Sequence, residues 1–371
     1  MRPLPTNSKQ QLLEYFPADY FSARGRFNRL AAECGGQCAA YRIGARGPGG
    51  EALSIDSAYF GAASPQRLLI LTSGIHGAEG FAGSALQQHI IIDLIDTPCT
   101  AALGGILLVH ALNPYGFAHI RRTNENNVDL NRNALVDFPG PANPAYETFD
   151  AALNPRSAPG RRTRFMPGLL WCGLQTGARV ARQAIAGGQY RFAQGLFYGG
   201  AKTEESIRIF EHILQVQACD PTMQVVHIDL HTGLGKYGDY KLFVHSGTGS
   251  PALQSLQEWC GDRVIATADS GRSGIYSASG LIGSLTRRVF ANARTITATL
   301  EFGTYPLLRV LSVLCKENQL FHYGCADATL GKKIRADFLE TFCPQDVRWR
   351  LALLEHGGRV VQQITNGLFA T

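Results

Sequence analysis

The chain has 371 residues, of which 45% are apolar and only 17% are charged, whereas about 25% of the residues in a typical soluble protein are charged. This composition excludes a disordered or fibrous protein and predicts a large core with well-covered sheets. The net charge of +6 comes from 35 basic and 29 acidic residues. Because the arginines are scattered and form no long basic run, we expect no nucleic-acid partner.

The cysteines and the first residues favour a cytoplasmic protein. Nine cysteines occur, an odd number without any C-x-x-C pair, so we expect reduced thiols and no disulfide framework. The chain starts with no apolar leader, and no stretch approaches the roughly 20 apolar residues that span a bilayer. We therefore predict no membrane partner.

Strands and helices alternate along the chain. The pattern predicts buried strands over 67–73, 105–111, 223–230 and 295–301. It predicts helices over 81–95, over 204–218 with Thr203 as N-cap, and over 306–316, and a turn over 113–116. This order indicates an α/β fold with a twisted, mostly parallel sheet and helices on both faces. Residues 137–200 are rich in Pro, Gly and Arg with little sheet pattern. We interpret them as an insertion around the rim of the site within a single domain spanning 1–371.

Polar side chains follow the predicted strands at His76, Asn113, His231 and Glu301. Ligands bind at the carboxyl ends of the strands in such sheets. His76 and Glu79 form an H-x-x-E pair just after the first strand, which is how two zinc ligands often come from one turn. By itself the pair is weak evidence, since a turn histidine bonded to the backbone and a solvated glutamate would look the same.

A third ligand would have to come from far along the chain. His231 is the natural candidate, because it is presented where its strand ends. His227 shares its face of the strand by period two but lies deeper and is better explained as a satisfied core residue. Asp229, between them, could orient a ligand imidazole.

Two other polar features suggest substrate contacts. The segment 121–133 could be a solvated loop with Asn turns, but Asn131 and Arg132 also suit a two-point grip on a carboxylate. Asp129 could reach back toward the metal. Glu301 ends an apolar strand, where a charge is costly unless it is paired or functional, and it could act as a general base.

Five motifs resemble those of the zinc carboxypeptidase clan, which also contains the aspartoacylase and succinylglutamate desuccinylase branch. They occur in the clan's order over about residues 65–305, and the overall likeness is greatest to an uncharacterised bacterial branch. The V-D-L-N-R-N string is the most specific of them. The motifs are H-x-x-E at 76–79, N-P-Y-G at 113–116, V-D-L-N-R-N at 128–133, Y-S-A-S-G at 276–280, and the catalytic glutamate at 301.

The resemblance implies a zinc-carboxypeptidase-like fold and a role for each matching residue. Zinc would be held by His76, Glu79 and His231. Glu301 would be the general base, Arg122 would stabilise the oxyanion, and Asp129 would orient His76. Asn131 and Arg132 would hold the substrate carboxylate, and Tyr276 would close over the substrate. Arg121 is an alternative to Arg122. The contexts 229–232 and 301–303 lean toward the deacylase branch, the Tyr276 segment leans toward carboxypeptidases, and 137–200 matches neither.

The resulting prediction is a zinc-dependent hydrolase that cleaves an amide bond beside a free carboxylate. We expect a metallocarboxypeptidase acting on short peptides. The alternatives are an N-acyl amino-acid deacylase of the aspartoacylase type and, from a different class, a metal-free binding protein on the same scaffold. A serine hydrolase is disfavoured because the chain contains no G-x-S-x-G motif.

Overall fold

One mixed sheet is the frame of the molecule. The structure is a computed structural model that describes residues 9–94, 104–160, 165–218, 220, 222–267, 278–291 and 294–370. Within these residues there are eight strands: β1 Gln37–Arg46, β2 Ala52–Gly61, β3 Arg67–Ser73, β4 Gly104–His110, β5 Gln224–Thr232, β6 Tyr240–Val244, β7 Val264–Ala266 and β8 Thr295–Phe302.

Helices cover the sheet on both faces. In the described part of the chain they are α1 Lys9–Leu13, α2 Tyr20–Glu33, α3 Gly80–Leu94, α4 Pro114–His119, α5 Pro144–Leu153, α6 Phe165–Thr176, α7 Ala178–Ala186, α8 Glu205–Gln217, α9 Pro251–Cys260, α10 Ile282–Val289, α11 Leu307–Tyr323, α12 Ala328–Phe342 and α13 Val347–Phe369. None of these helices combines the length and the apolar composition that crossing a membrane requires.

The strand order is β1-β2-β4-β3-β5-β8-β6-β7. The four central strands β4, β3, β5 and β8 run parallel, while β2 joins β4 and β6 joins β8 in antiparallel fashion. Alternate residues of β3 face opposite cores: Leu69 and Leu71 pack on one side and Leu68 and Ile70 on the other. A strand buried on both faces must be apolar throughout, which explains its continuous apolar sequence and confirms the predicted α/β architecture.

The four predicted strands are confirmed to within about two residues, and the helix predicted over 81–95 corresponds to α3. Two local predictions were wrong. The turn expected over 113–116 is the start of α4, where Asn113 is the N-cap and its Oδ1 accepts a hydrogen bond from the Gly116 amide at 2.8 Å. The N-cap of α8 is Glu204, not Thr203. The helix predicted over 306–316 continues to Tyr323.

The segment 137–200 contains α5, α6 and α7 and so is more regular than its composition indicated. Buried Tyr146 and Phe149 of α5 pack in one cluster with Val310 and Leu314 of α11 and Phe338 of α12. This cluster holds the helices of the segment against the two helices that follow β8, close to the carboxyl edge of the central strands.

Candidate metal centre and active site

The H-x-x-E pair lies in a short connection between β3 and α3. After Ser73 the chain turns, and Gly77–Glu79 form a single 3-10 turn that leads into α3. Gly77 is required for close approach, because a Cβ there would lie 1.9 Å from the carbonyl carbon of Gly116 in α4. The amides of Gly77 and Ala78 donate to the carbonyls of Arg122 and Arg121, at 3.2 and 2.9 Å. These bonds fix the polar 121–133 segment beside the turn.

The register of β5 and β8 places the two distant motifs side by side. His231 pairs with Glu301, and Asp229 pairs with Thr299. Residues two apart share a face of a strand, so Asp229, His231 and Glu301 all face the same side of the sheet. His227 lies two residues deeper than Asp229 on the same face of β5, where its ring nitrogens bond to the Thr72 and Thr286 hydroxyls. It therefore sits away from the metal candidates, as expected.

His76, Glu79 and His231 converge. One potential ligand atom from each lies within 4.8 Å of the others, and all three residues are buried. Glu79 joins the two rings, because its Oε1 is 2.9 Å from His76 Nδ1 and its Oε2 is 3.1 Å from His231 Nδ1. Glu79 Oε2 also accepts a hydrogen bond from the Thr232 amide at 3.1 Å, which holds the carboxylate in place.

The other ring nitrogen of each histidine meets a buried aspartate. His76 Nε2 lies 3.3 Å from Asp129 Oδ1, and His231 Nε2 donates to Asp229 Oδ2. Carboxylates behind a ligand imidazole fix its tautomer and orientation. With both Nε2 atoms engaged in this way, both Nδ1 atoms face Glu79 and are the atoms available to a metal.

The electrostatics fit a divalent cation. Although burial disfavours the charged form, Asp229 and Glu79 raise the pKa of the His231 imidazole well above its usual value. Burial also opposes ionisation of Glu79, but His76 and His231 lower the pKa of that carboxyl. Three buried carboxylates, those of Glu79, Asp129 and Asp229, surround the two rings, and in the absence of a cation a proton on His231 offsets part of this charge. Two imidazoles and a carboxylate are a donor set that zinc prefers.

The structure separates the two adjacent arginines. Arg122 lines the cavity, its Nε and Nη2 each donate to Asp129 Oδ2 at 3.1 Å, and its Nη1 lies 3.5 Å from Glu79 Oε1. Arg121 points away and pairs with buried Glu317 at 2.6 Å. Of the two, only Arg122 is placed beside the metal candidates.

Glu301 projects into the same cavity. Desolvation raises the pKa of the Glu301 carboxyl to about 7; the charge of His231 opposes this rise, and the like charge of Glu79 adds to it. Its Oε1 accepts a hydrogen bond from the Leu234 amide at 2.8 Å. A carboxyl poised near neutral pH has the proton affinity that a general base requires.

Asn131 and Arg132 also line the cavity. Asn131 Oδ1 accepts from the Ile282 amide at 3.1 Å, and the Arg132 guanidinium donates to the carbonyls of Asn131 and Ala186, both at 2.7 Å. Gly280 lies against this segment with φ +73°, and a Cβ there would be 2.1 Å from the Arg132 carbonyl oxygen. This contact accounts for the glycine in Y-S-A-S-G. Tyr276 lies outside the described residues.

The cavity has a volume of about 450 Å³ and a lining that is partly apolar and partly polar. Leu307, Val310, Leu311 and Leu314 form an apolar stripe of α11 at helical spacing, and Ile185 and Phe197 continue it. Other lining residues are polar, and none of the sequence motifs indicated them. These include His245, Ser246, Thr267, Ser284, Arg287 and Thr299.

Solved structures with similar folds include carboxypeptidases. Thrombin-activatable fibrinolysis inhibitor has a TM-score of 0.52 at 11% identity, over 98% of this chain and 77% of that one. Carboxypeptidase A from Helicoverpa armigera has a TM-score of 0.47 at 13% identity, over 90% of this chain and 76% of that one. A metallo-carboxypeptidase from Burkholderia cenocepacia has a TM-score of 0.39 at 14% identity, over 92% of this chain and 70% of that one. At such identities the likeness concerns the fold, and only the first TM-score exceeds 0.5.

No curated protein matches the chain in sequence. One family does match, over residues 16–356, and its description is "Protein of unknown function (DUF2817)". Because that match spans all eight described strands and every site residue described above, the chain belongs to the DUF2817 family.

Proposed function

We propose that this protein is a zinc-dependent hydrolase that cleaves an amide bond adjacent to a free carboxylate, and specifically a metallocarboxypeptidase of short peptides. The observation that carries the proposal is the convergence of His76, Glu79 and His231 beside Glu301 and Arg122 in one cavity. A metal ion that only stabilised the fold is disfavoured, because these three residues open on a cavity that also contains a candidate base and a candidate oxyanion donor.

Each side chain then has a defined task. His76 Nδ1, His231 Nδ1 and the Glu79 carboxylate would hold zinc, which would supply Lewis-acid polarisation and lower the pKa of a bound water. Glu301 takes the proton of the attacking water as the water adds to the substrate carbonyl, and later gives that proton to the leaving amine. Arg122 donates to the oxygen that becomes negative, a contribution of about 3 kcal/mol for a well-placed donor.

The free carboxylate of the substrate would bind Asn131 and Arg132. The guanidinium of Arg132 is a planar donor suited to two-point recognition of a carboxylate, and its bond to the Ala186 carbonyl fixes it at the cavity. The apolar stripe of α11 would contact the part of the substrate on the other side of the scissile bond. A peptide with a free C-terminus satisfies both requirements.

Substitution of the base tests the proposal. Glu301→Gln preserves shape and removes the proton acceptor, so we expect zinc binding and folding to persist while turnover falls by about 10²- to 10⁴-fold. The matched control is Glu355→Gln, a glutamate on α13 that pairs with Arg359 at the surface. Turnover of Glu301→Gln at the level of that control would refute the assignment of the base.

A mass-spectrometric hydrolysis screen identifies the substrate class. It uses one pool of peptides with free C-termini, cell-wall peptides and N-acyl amino acids. Loss of the C-terminal residue supports a carboxypeptidase. Release of the acyl group would place the activity with the deacylases instead. No turnover of any pool member by the zinc-loaded protein would contradict this substrate class and point to a narrower substrate or to the binding-protein alternative.

A further inference from the structure

A polar strip extends from the candidate base into the depth of the cavity. Glu301, Thr299 and Thr297 share one face of β8, and Thr297 is four residues from Glu301, which corresponds to about 13 Å along a strand. His245, just after β6, lies beside this strip: its Nε2 is 3.1 Å from Thr299 Oγ1, and its amide donates to the Thr297 carbonyl at 3.0 Å. Burial lowers the pKa of the His245 imidazole to about 3, so this ring is a neutral hydrogen-bonding group.

Arg287 of α10 provides the positive charge at the far end of the strip. Its Nη1 donates to Thr297 Oγ1 and lies 3.4 Å from the His245 carbonyl, and its Nη2 donates to Ser284 Oγ at 3.1 Å. All of these acceptors are uncharged. The side chain is half-buried and lines the cavity.

No carboxylate pairs with Arg287 among the residues that the structure describes. Asp229 lies on the neighbouring strand opposite Thr299, but one of its oxygens accepts from His231 and the other from Thr72. Burial, followed by the like charge of Arg288, lowers the pKa of the Arg287 guanidinium. Among the described residues this cation therefore has no counter-charge in a partly desolvated cavity, which is costly, and an anion that binds beside it recovers the cost.

We propose that Arg287 binds a second carboxylate of the substrate, at the end of the side chain of the residue that is released. The proposal rests on the proposed function and names its substrate class: peptides or N-acyl amino acids that end in an acidic residue. The carboxylate beside the scissile bond binds Asn131 and Arg132, and the side-chain carboxylate binds Arg287 and the neighbouring hydroxyls. Both ends of an amino dicarboxylate are thus recognised by arginine.

Product binding isolates this contact from catalysis. L-glutamate and L-glutamine have nearly the same shape and differ in one charge, so their affinities for the zinc-loaded protein, measured by calorimetry, report on the side-chain site alone. We expect glutamate to bind about 10- to 100-fold more tightly, the usual range for hydrogen bonds to a charged group. Aspartate, with a shorter side chain, and 2-aminoadipate, with a longer one, extend the series. Their affinities show which side-chain length places the carboxylate at Arg287.

Arg287→Met should reduce the preference for glutamate over glutamine to within about twofold. Arg287→Lys should retain part of it, because the charge remains while the planar fork is lost. Arg288→Met is the matched control, since this neighbouring arginine donates to the Ala134 carbonyl and is not among the residues that line the cavity. We expect this control to keep the full preference.

Turnover of peptides should show the same preference between the two C-terminal residues. Peptides ending in Glu should exceed those ending in Gln in kcat/KM, and Arg287→Met should remove the difference. Equal binding of glutamate and glutamine, or an unchanged preference in Arg287→Met, would overturn the inference and leave Arg287 as a tie between α10 and the sheet. A protein that prefers glutamate but hydrolyses no amide would retain the Arg287 site and refute the proposed function, so the two failures are distinguishable.

Discussion

Asp229→Asn tests whether the buried carboxylate behind His231 tunes the metal site. In the structure Asp229 Oδ2 accepts from His231 Nε2, and Oδ1 accepts from the Thr72 hydroxyl at 2.6 Å. An asparagine can place its oxygen toward His231 and its amide nitrogen toward Thr72, so shape and hydrogen bonds are largely preserved. The substitution therefore removes mainly the charge that makes the imidazole a strong ligand.

The expected effect is a 10- to 100-fold weaker affinity for zinc, or about 1.4 to 2.7 kcal/mol, which is the usual cost of changing a group that orients a metal ligand. The assay is competition for zinc between the protein and a chromophoric chelator of known affinity. Asp262→Asn, at an exposed aspartate, is the matched control. An affinity within about twofold of the unsubstituted protein would refute the reasoning.

Two predictions concern stability. Burial lowers the pKa of His110 to about 3, so the folded protein keeps this ring neutral while the unfolded chain binds a proton below about pH 6.5. The stability that this group contributes is complete above that pH and is lost as the pH falls. When the pH falls from 7 to 5, the free energy of unfolding in urea should therefore decrease by about 2 kcal/mol less in His110→Gln than in the surface control His212→Gln. Equal decreases in the two variants would contradict this prediction. Arg121→Met leaves Glu317 buried without its cation and should cost about 3 to 5 kcal/mol in urea unfolding. Arg121→Met combined with Glu317→Gln should recover part of that loss, and full additivity of the two substitutions would argue against a coupled pair.

β3 was readable from its continuous apolar sequence, which a strand buried on both faces requires. β5 and β8 instead combine apolar residues with polar ones such as Asp229 and Thr299. The carboxyl-edge placement of His76 and His231 followed from the same reasoning. The sequence also distinguished His231 from His227: period two places both on one face of the strand, but His231 lies at the strand end and His227 lies deeper. Start and end signals were weaker: Thr203 is a common type of N-cap, yet the chain uses Glu204, one residue later, as the N-cap of α8.

The tertiary structure alone decided which residues meet across long separations. The pairing of His231 with Glu301 depends on the register of two parallel strands, and no local pattern encodes that register. Arg121 and Arg122 are equivalent in sequence, and only the packing of α11, which supplies Glu317, sends one to a structural ion pair and leaves the other at the cavity. In the sequence, Arg287 only precedes another arginine, Arg288, and no motif singles it out. Its significance depends on Thr297 and His245, which come from two other elements, so its place in the cavity required the folded chain.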